Sequence, residues 1–128
     1  MPAKKVLVVD DEQPIRDVLE QKLTADGFEV FLATTGQEAI SQIFAEHPDL
    51  VLMDIVLPDI EGSEIVKRLQ QEPGLRQIPI IFLSGIVSRE NGKLTSPIMV
   101  GGREYHALAK PFSYRELRDQ MEDLLKFA

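Results

Sequence analysis

Four groups in this sequence carry atoms suited to chemistry: Asp10-Asp11, Asp54, Ser84 and Lys110. Each closes a short apolar run. Val6-Leu7-Val8-Val9 ends in Asp10-Asp11, and Leu50-Val51-Leu52-Met53 ends in Asp54. Ile80-Ile81-Phe82-Leu83 ends in Ser84, and Leu108-Ala109 in Lys110-Pro111. Carboxylates brought together repel one another and stay ionised only beside a cation. A hard divalent ion fits, and Mg2+ fits best, because it takes one or two carboxylates, keeps waters and shares phosphate oxygens. Mn2+ is the natural substitute. The Lys110 ammonium is a point charge suited to a phosphate, and Ser84 offers a hydroxyl. Metal, ammonium and hydroxyl together suit phosphoryl transfer, which is mostly positioning and charge neutralisation. With no cysteine, and histidine only at His47 and His106, the natural covalent acceptor is a carboxylate. Asp54, at the end of the middle run, is the central one.

For these groups to meet, the apolar runs must lie side by side. Runs without alternation suit strands covered on both faces. Helical segments separate them. Pro14 opens one, with Ile15, Val18, Leu19 and Leu23 on its buried face, and Gly27 stops it. Phe28–Ala33 alternates as a half-buried strand. Thr35-Gly36 precedes a helix with Ala39, Ile40, Ile43 and Phe44 inward, and Pro48 closes it. Residues 62–71 read as a helix, and Ser113 with Glu116 three residues on is a capping box for the last one. The alternation predicts a doubly wound α/β domain with a five-stranded parallel sheet and about five helices, on both faces. In such a sheet the functional crevice lies beyond the carboxyl ends of the strands, where all four groups fall. The stretch 85–104 is punctuated by Asn91-Gly92, Pro97 and Gly101-Gly102. It supports a short or irregular fourth helix, at most a turn over Pro97–Val100 capped by Ser96.

Composition bounds the rest. The 128 residues fit a single domain, 1–128. A formal charge of −7 argues against nucleic-acid contact, which needs a dense positive face. No apolar run is long enough for a membrane span, and the start carries no signal-peptide pattern, so a cytoplasmic setting is expected. Taken singly, the chemical groups have plain readings. Asp10-Asp11 would pass for a helix-capping pair, Ser84-Gly85 for a turn, and Glu12 for a first-turn partner of the helix dipole. Their coincidence on successive strand ends separates them from those readings.

The motifs resemble a known family. Val-Val-Asp10-Asp11-Glu12, Asp49 through Asp54 to Pro58 and Gly62, Ile80–Ser84 and Lys110-Pro111-Phe112 look like the receiver domain of two-component response regulators. The resemblance implies a flavodoxin-like fold with strand order 2-1-3-4-5. It also implies a phosphoryl group taken from a histidine kinase or histidine phosphotransfer protein. Carried over by position, Asp54 matches the phosphoacceptor, and Asp10 and Asp11 the acidic pair that holds Mg2+. Asp54 and the backbone carbonyl of Val56 complete its protein ligands. Ser84 matches the switch hydroxyl and Lys110 the phosphoryl-pairing lysine. Lys110-Pro111 matches a peptide bond that is usually cis.

The sequence departs from that pattern in places. The usual switch aromatic, three positions before the lysine, is Ala107 here; Tyr105, on the same strand parity, is the candidate replacement. Val56 and Ile86 are apolar where a side chain could orient an attacking water, so a long-lived phosphorylated form is expected. Signalling would pass to a downstream protein or to a C-terminal effector domain, by a monomer or a weak phosphorylation-dependent dimer. Two other readings compete. One is a scaffold of the same fold that is not phosphorylated. The other is a Mg2+-dependent aspartyl phosphatase, against which stands Val56 where such enzymes place a second acid.

Overall fold

The computed structural model describes residues 3–85, 89–90, 93–94 and 98–125. Its elements run β1 (Lys5–Val9), α1 (Gln13–Ala25), β2 (Glu29–Ala33), α2 (Gly36–Glu46), β3 (Leu50–Asp54), α3 (Gly62–Gln70) and β4 (Ile80–Ser84). Then follow β5 (Arg89–Glu90), β6 (Lys93–Leu94), β7 (Ile98–Val100), β8 (Arg103–Ala109) and α4 (Tyr114–Leu125). The main sheet has the order β2-β1-β3-β4-β8-β7. Its first five strands are parallel, as expected, and β7 adds an antiparallel edge. β5 and β6 pair antiparallel as a separate two-stranded sheet.

The central strands are apolar throughout because both faces are covered. Leu7, Val9, Val51, Met53 and Phe82 point to one core, which α2 and α3 close with Ala39, Ile43, Ile65 and Leu69. Val6, Val8, Leu50, Leu52, Ile81 and Leu83 point to the other, closed by Leu19 and Leu23 of α1 and Leu117 and Met121 of α4. The capping box of α4 is reciprocal: the Glu116 N–H donates to Ser113 Oγ, and the Ser113 N–H to Glu116 Oε1, both at 3.1 Å.

Three expectations need correction. Ile98–Val100 is strand, not a helical turn, and the described residues between β4 and β8 contain no helix. Gly101 and Gly102 both adopt positive φ, so they turn β7 back antiparallel onto β8 as a hairpin. Ser96, the expected cap of that turn, and Pro97 lie outside the described residues. Phe44 and Val18 are half-exposed rather than core: each sits at the flank of its helix's apolar stripe. Glu12 is not in the first turn of α1 but precedes it as the N-cap, with no side-chain cap bond.

Candidate functional site

Sheet register assembles the site. Val9 pairs with Met53, so Asp10 and Asp54 emerge side by side from β1 and β3. Ser84 pairs with Ala109, so Lys110 follows at the same edge, its N–H donating to Ser84 O at 2.9 Å. Asp10, Asp54 and Ser84 are the buried polar residues of the described core. Asp11 and Glu12 stand beside them, exposed. Carboxylate oxygens of Asp10, Asp11, Glu12 and Asp54 lie within 4.8 Å of one another. Such a set of hard oxygen donors fits a divalent cation of the Mg2+ type.

Lys110 supplies the local positive charge. Its Nζ donates to Asp54 Oδ2 at 3.0 Å and to Glu12 Oε1 at 3.1 Å, and it sits 2.8 Å from Asp10 Oδ2. Four carboxylates against this ammonium leave the site short of positive charge. Asp10 is wholly buried, and burial pushes its carboxyl above the ordinary range. Lys110 and the Glu12 N–H, which donates to Asp10 Oδ1 at 2.9 Å, only partly offset this. Asp10 Oδ2 receives no directed hydrogen bond, so its contact with Lys110 is a charge contact. Lys110 is itself raised well above its ordinary value: burial lowers it, but its contacts with the Asp10, Asp54 and Glu12 carboxylates outweigh that.

The backbone around the acceptor is tightly set. The Val56 N–H donates to Asp54 Oδ1 at 3.1 Å, which orients that carboxylate from its own loop. Gly62 starts α3 against β3: a Cβ there would lie 2.6 Å from Asp54 O. Arg16 Nη1 donates to Asp10 O at 2.9 Å and ties α1 to the β1 exit. The Lys110-Pro111 peptide is cis. An open cleft of about 800 Å3 gives access to Asp54, Ser84 and Lys110. Its wall is apolar: Pro14, Ile15, Val18, Val56, Pro111 and Phe112.

The structure therefore brings Asp10, Asp11, Asp54, Val56, Ser84, Lys110 and Pro111 together. Tyr105 is elsewhere. It shares the inward parity of Ala107 and is buried, its ring edge-on to Phe82 at 5.9 Å. Its hydroxyl accepts from Gln70 Nε2 at 2.8 Å. Ile86 lies outside the described residues. Sequence reasoning missed the reach of Glu12 to Lys110; its only trace is that three acids are contiguous at positions 10–12. It also missed Gln70 and Asp59, whose partners are distant in the chain.

Residues 6–122 match the family described as the response regulator receiver domain. The chain is 32% identical to a candidate response regulator from Chloroflexus aurantiacus J-10-fl, over 98% of this chain and 99% of that one, with a TM-score of 0.81. It is 28% identical to the chemotaxis protein CheY4 of Vibrio cholerae, over 95% and 98% of the two chains, with a TM-score of 0.80. The receiver domain of the sensor histidine kinase PA1611 from Pseudomonas aeruginosa PAO1, solved with magnesium in its active-site cleft, shares the fold. It matches at 24% identity, 98% and 99% coverage and a TM-score of 0.82. The chain belongs to the response regulator receiver family. It is a phosphorylation-switch module of two-component signalling rather than a turnover enzyme. No helix among the described residues is long and apolar enough to cross a membrane.

Proposed function

We propose that residues 1–128 form one receiver domain that is phosphorylated on Asp54 in a Mg2+-dependent reaction, in the cytoplasm. The observation that carries this reading is the Asp10-Asp11-Glu12-Asp54 cluster, closed by Lys110, at the mouth of an open cleft. Asp10, Asp11, Asp54 and the Val56 carbonyl would hold the ion; the Pseudomonas domain of the same fold carries magnesium in its active-site cleft. Bound there, the ion neutralises charge on the carboxylates and on phosphate oxygens.

This chain's own residues do the rest. Asp54, with Oδ1 held by the Val56 N–H, presents Oδ2 to the donor phosphorus. A carboxylate O–P bond forms as the donor's N–P bond breaks, and the freed imidazole of the donor keeps the electron pair and takes up a proton. Lys110 exchanges its Asp54 contact for a phosphoryl oxygen, and Ser84 donates its hydroxyl to another. The donor is a histidine kinase or a histidine phosphotransfer protein. The apolar cleft wall from Pro14 to Val18, with Val56 and Phe112, suits the face of a donor helix that carries the phosphohistidine. Output passes to a downstream protein or effector domain by a shift in conformational population.

The test is incubation with Mg2+ and a small-molecule phosphodonor, followed by intact mass, with Asp54→Asn in parallel. One added phosphoryl group, lost without Mg2+ and lost in the variant, is the expected result. No addition to folded, Mg2+-loaded protein would refute the reading and favour an unphosphorylated scaffold.

A further inference from the structure

We propose that Asp59 is a positioning residue for the metal-binding loop, acting by clamping that loop to the N-terminus of α2; this rests on the function proposed above. The loop 55–61 connects Asp54 to α3 and carries Val56. It is closed at its base: Val56 bridges to Glu61, and the Gly62 N–H donates to Ile55 O at 2.7 Å. Leu57 and Ile60 pack its tip against the core, and one side chain from within it adds a polar tie. Asp59 Oδ1 accepts from the Gly36 N–H at 2.7 Å, and Oδ2 from the Gln37 N–H at 3.0 Å.

Those two N–H groups belong to the first turn of α2, where no backbone acceptor exists. The helix's own cap does not use them: Thr35 Oγ1 accepts from the Glu38 N–H instead, at 3.1 Å. Asp59 is therefore a second cap, supplied from 22 residues away. Its carboxyl is held below the usual range, first by the Gly36 N–H. Packing at the same place leaves little slack. Gly36 is buried, and a Cβ there would overlap Ile60 Cγ2 and lie 3.1 Å from Ile65 Cδ1. Loop tip and helix end thus meet at contact distance, with a two-bond carboxylate fork between them.

The loop is short, so its tip cannot be fixed without fixing Val56. Asp59 is three residues from Val56, and the bridge to Glu61 leaves only four residues between the closed ends. With the fork in place, the loop is tied on both sides of the 56–57 peptide: the Val56 N–H is on Asp54 Oδ1, and Asp59 holds the chain beyond the carbonyl proposed as a ligand. Without it, the tip keeps its apolar packing but loses its polar tie to α2, and the Val56 carbonyl is held less firmly before the ion binds.

Calorimetric Mg2+ titration of the metal-free protein separates this from a merely structural role. Asp59→Ala is expected to weaken Mg2+ binding on the order of 10-fold, the low end for residues that orient a metal ligand. Asp59→Asn, which keeps an oxygen for the Gly36 N–H, is expected to recover most of it. Thr35→Ala removes the other cap of the same helix without touching the loop. It is expected to lower the melting temperature by several degrees and leave Mg2+ affinity unchanged. Wild-type Mg2+ affinity in Asp59→Ala, or an equal loss in Thr35→Ala, would overturn the inference. Wild-type protein that binds no Mg2+ would instead overturn the functional reading beneath it.

Discussion

Replacing Lys110 by Met tests the electrostatics of the site in isolation, because the stem is kept and only the charge is removed. In the structure this ammonium contacts three carboxylates, of which Asp10 is 0% and Asp54 10% exposed. Glu12 is 57% exposed, so its share is small, about 0–1 kcal/mol. Breaking a buried pair from one side costs about 3–5 kcal/mol. A second route bounds the loss: Asp10 can escape by taking up a proton. From its usual value of 3.8, doing so at pH 7 costs about 4 kcal/mol. The two agree. For a chain of this size, a loss of about 3 kcal/mol lowers the melting temperature by roughly 10–15 °C.

The pH dependence has a definite sign. Burial already raises the folded-state value of Asp10, and Lys110 is the largest influence that lowers it. Lys110→Met therefore raises it further. A carboxyl raised on folding is penalised above its folded-state value, and the penalty vanishes below its unfolded one. The variant's deficit should shrink as pH falls from neutrality, by up to about 1.4 kcal/mol per pH unit. Lys110 in the wild type is raised, so its contribution is constant over the same acidic range. The assay is thermal unfolding at pH 5 and 7, with chelator and with millimolar Mg2+. Mg2+ should narrow the gap, since the ion substitutes for the missing charge and binds only the folded state. A deficit equal at both pH values, and equal with and without Mg2+, would refute the charge argument and leave packing of the lysine stem as the cause.

Two further outcomes follow from the loop after the acceptor. Gly62→Ala puts a Cβ 2.6 Å from Asp54 O, so the β3 exit must shift; a loss of about 2 kcal/mol in urea denaturation and slower phosphorylation are expected. Unchanged stability would show that the strand end has slack. Val56→Asn with Ile86→Glu adds groups able to orient water, and should shorten the phosphorylated lifetime at least about 10-fold. A lifetime unchanged or longer would sink the idea that the apolar pair protects the acyl phosphate.

What could be read in the sequence follows from locality. Asp10, Asp54, Ser84 and Lys110 each end an apolar run, and a parallel sheet collects its strand ends on one edge, so the site was legible before any contact was known. The capping box at Ser113 and Glu116 spans three residues and was equally visible. Val18 and Phe44 failed because helical periodicity marks a stripe but not where its flank meets solvent. Ile98-Met99-Val100 is too short to show a period. The hairpin signal was Gly101-Gly102, legible as a turn but mute about which way the chain returned. Asp59 and Gln70 could not be read at all: each is a polar side chain whose partners are brought near only by the folded sheet.

Gln70 bears on the missing aromatic. Its Nε2 donates both to Val100 O at 3.0 Å and to the Tyr105 hydroxyl at 2.8 Å, so one amide fastens α3 to both strands of the β7–β8 hairpin. For Tyr105 to answer phosphorylation as a switch aromatic, its ring must leave Phe82 and its hydroxyl must leave Gln70. Exposing a buried ring costs about 1.5–3 kcal/mol, and the lost hydrogen bond about 1 more. A full population shift already needs about 5.5 kcal/mol of differential binding. Tyr105 is thus biased firmly inward, and Gln70 sets part of that bias. Gln70→Ala should raise the outward population of the ring, read as a shift and broadening of a fluorotyrosine resonance at position 105. It should also speed amide exchange over residues 98–105. A resonance that moves with phosphorylation in the variant but not in the wild type would place Gln70 as the latch. A resonance fixed in both would remove Tyr105 from the switch and leave the hairpin itself, with its exposed Met99, as the element that moves.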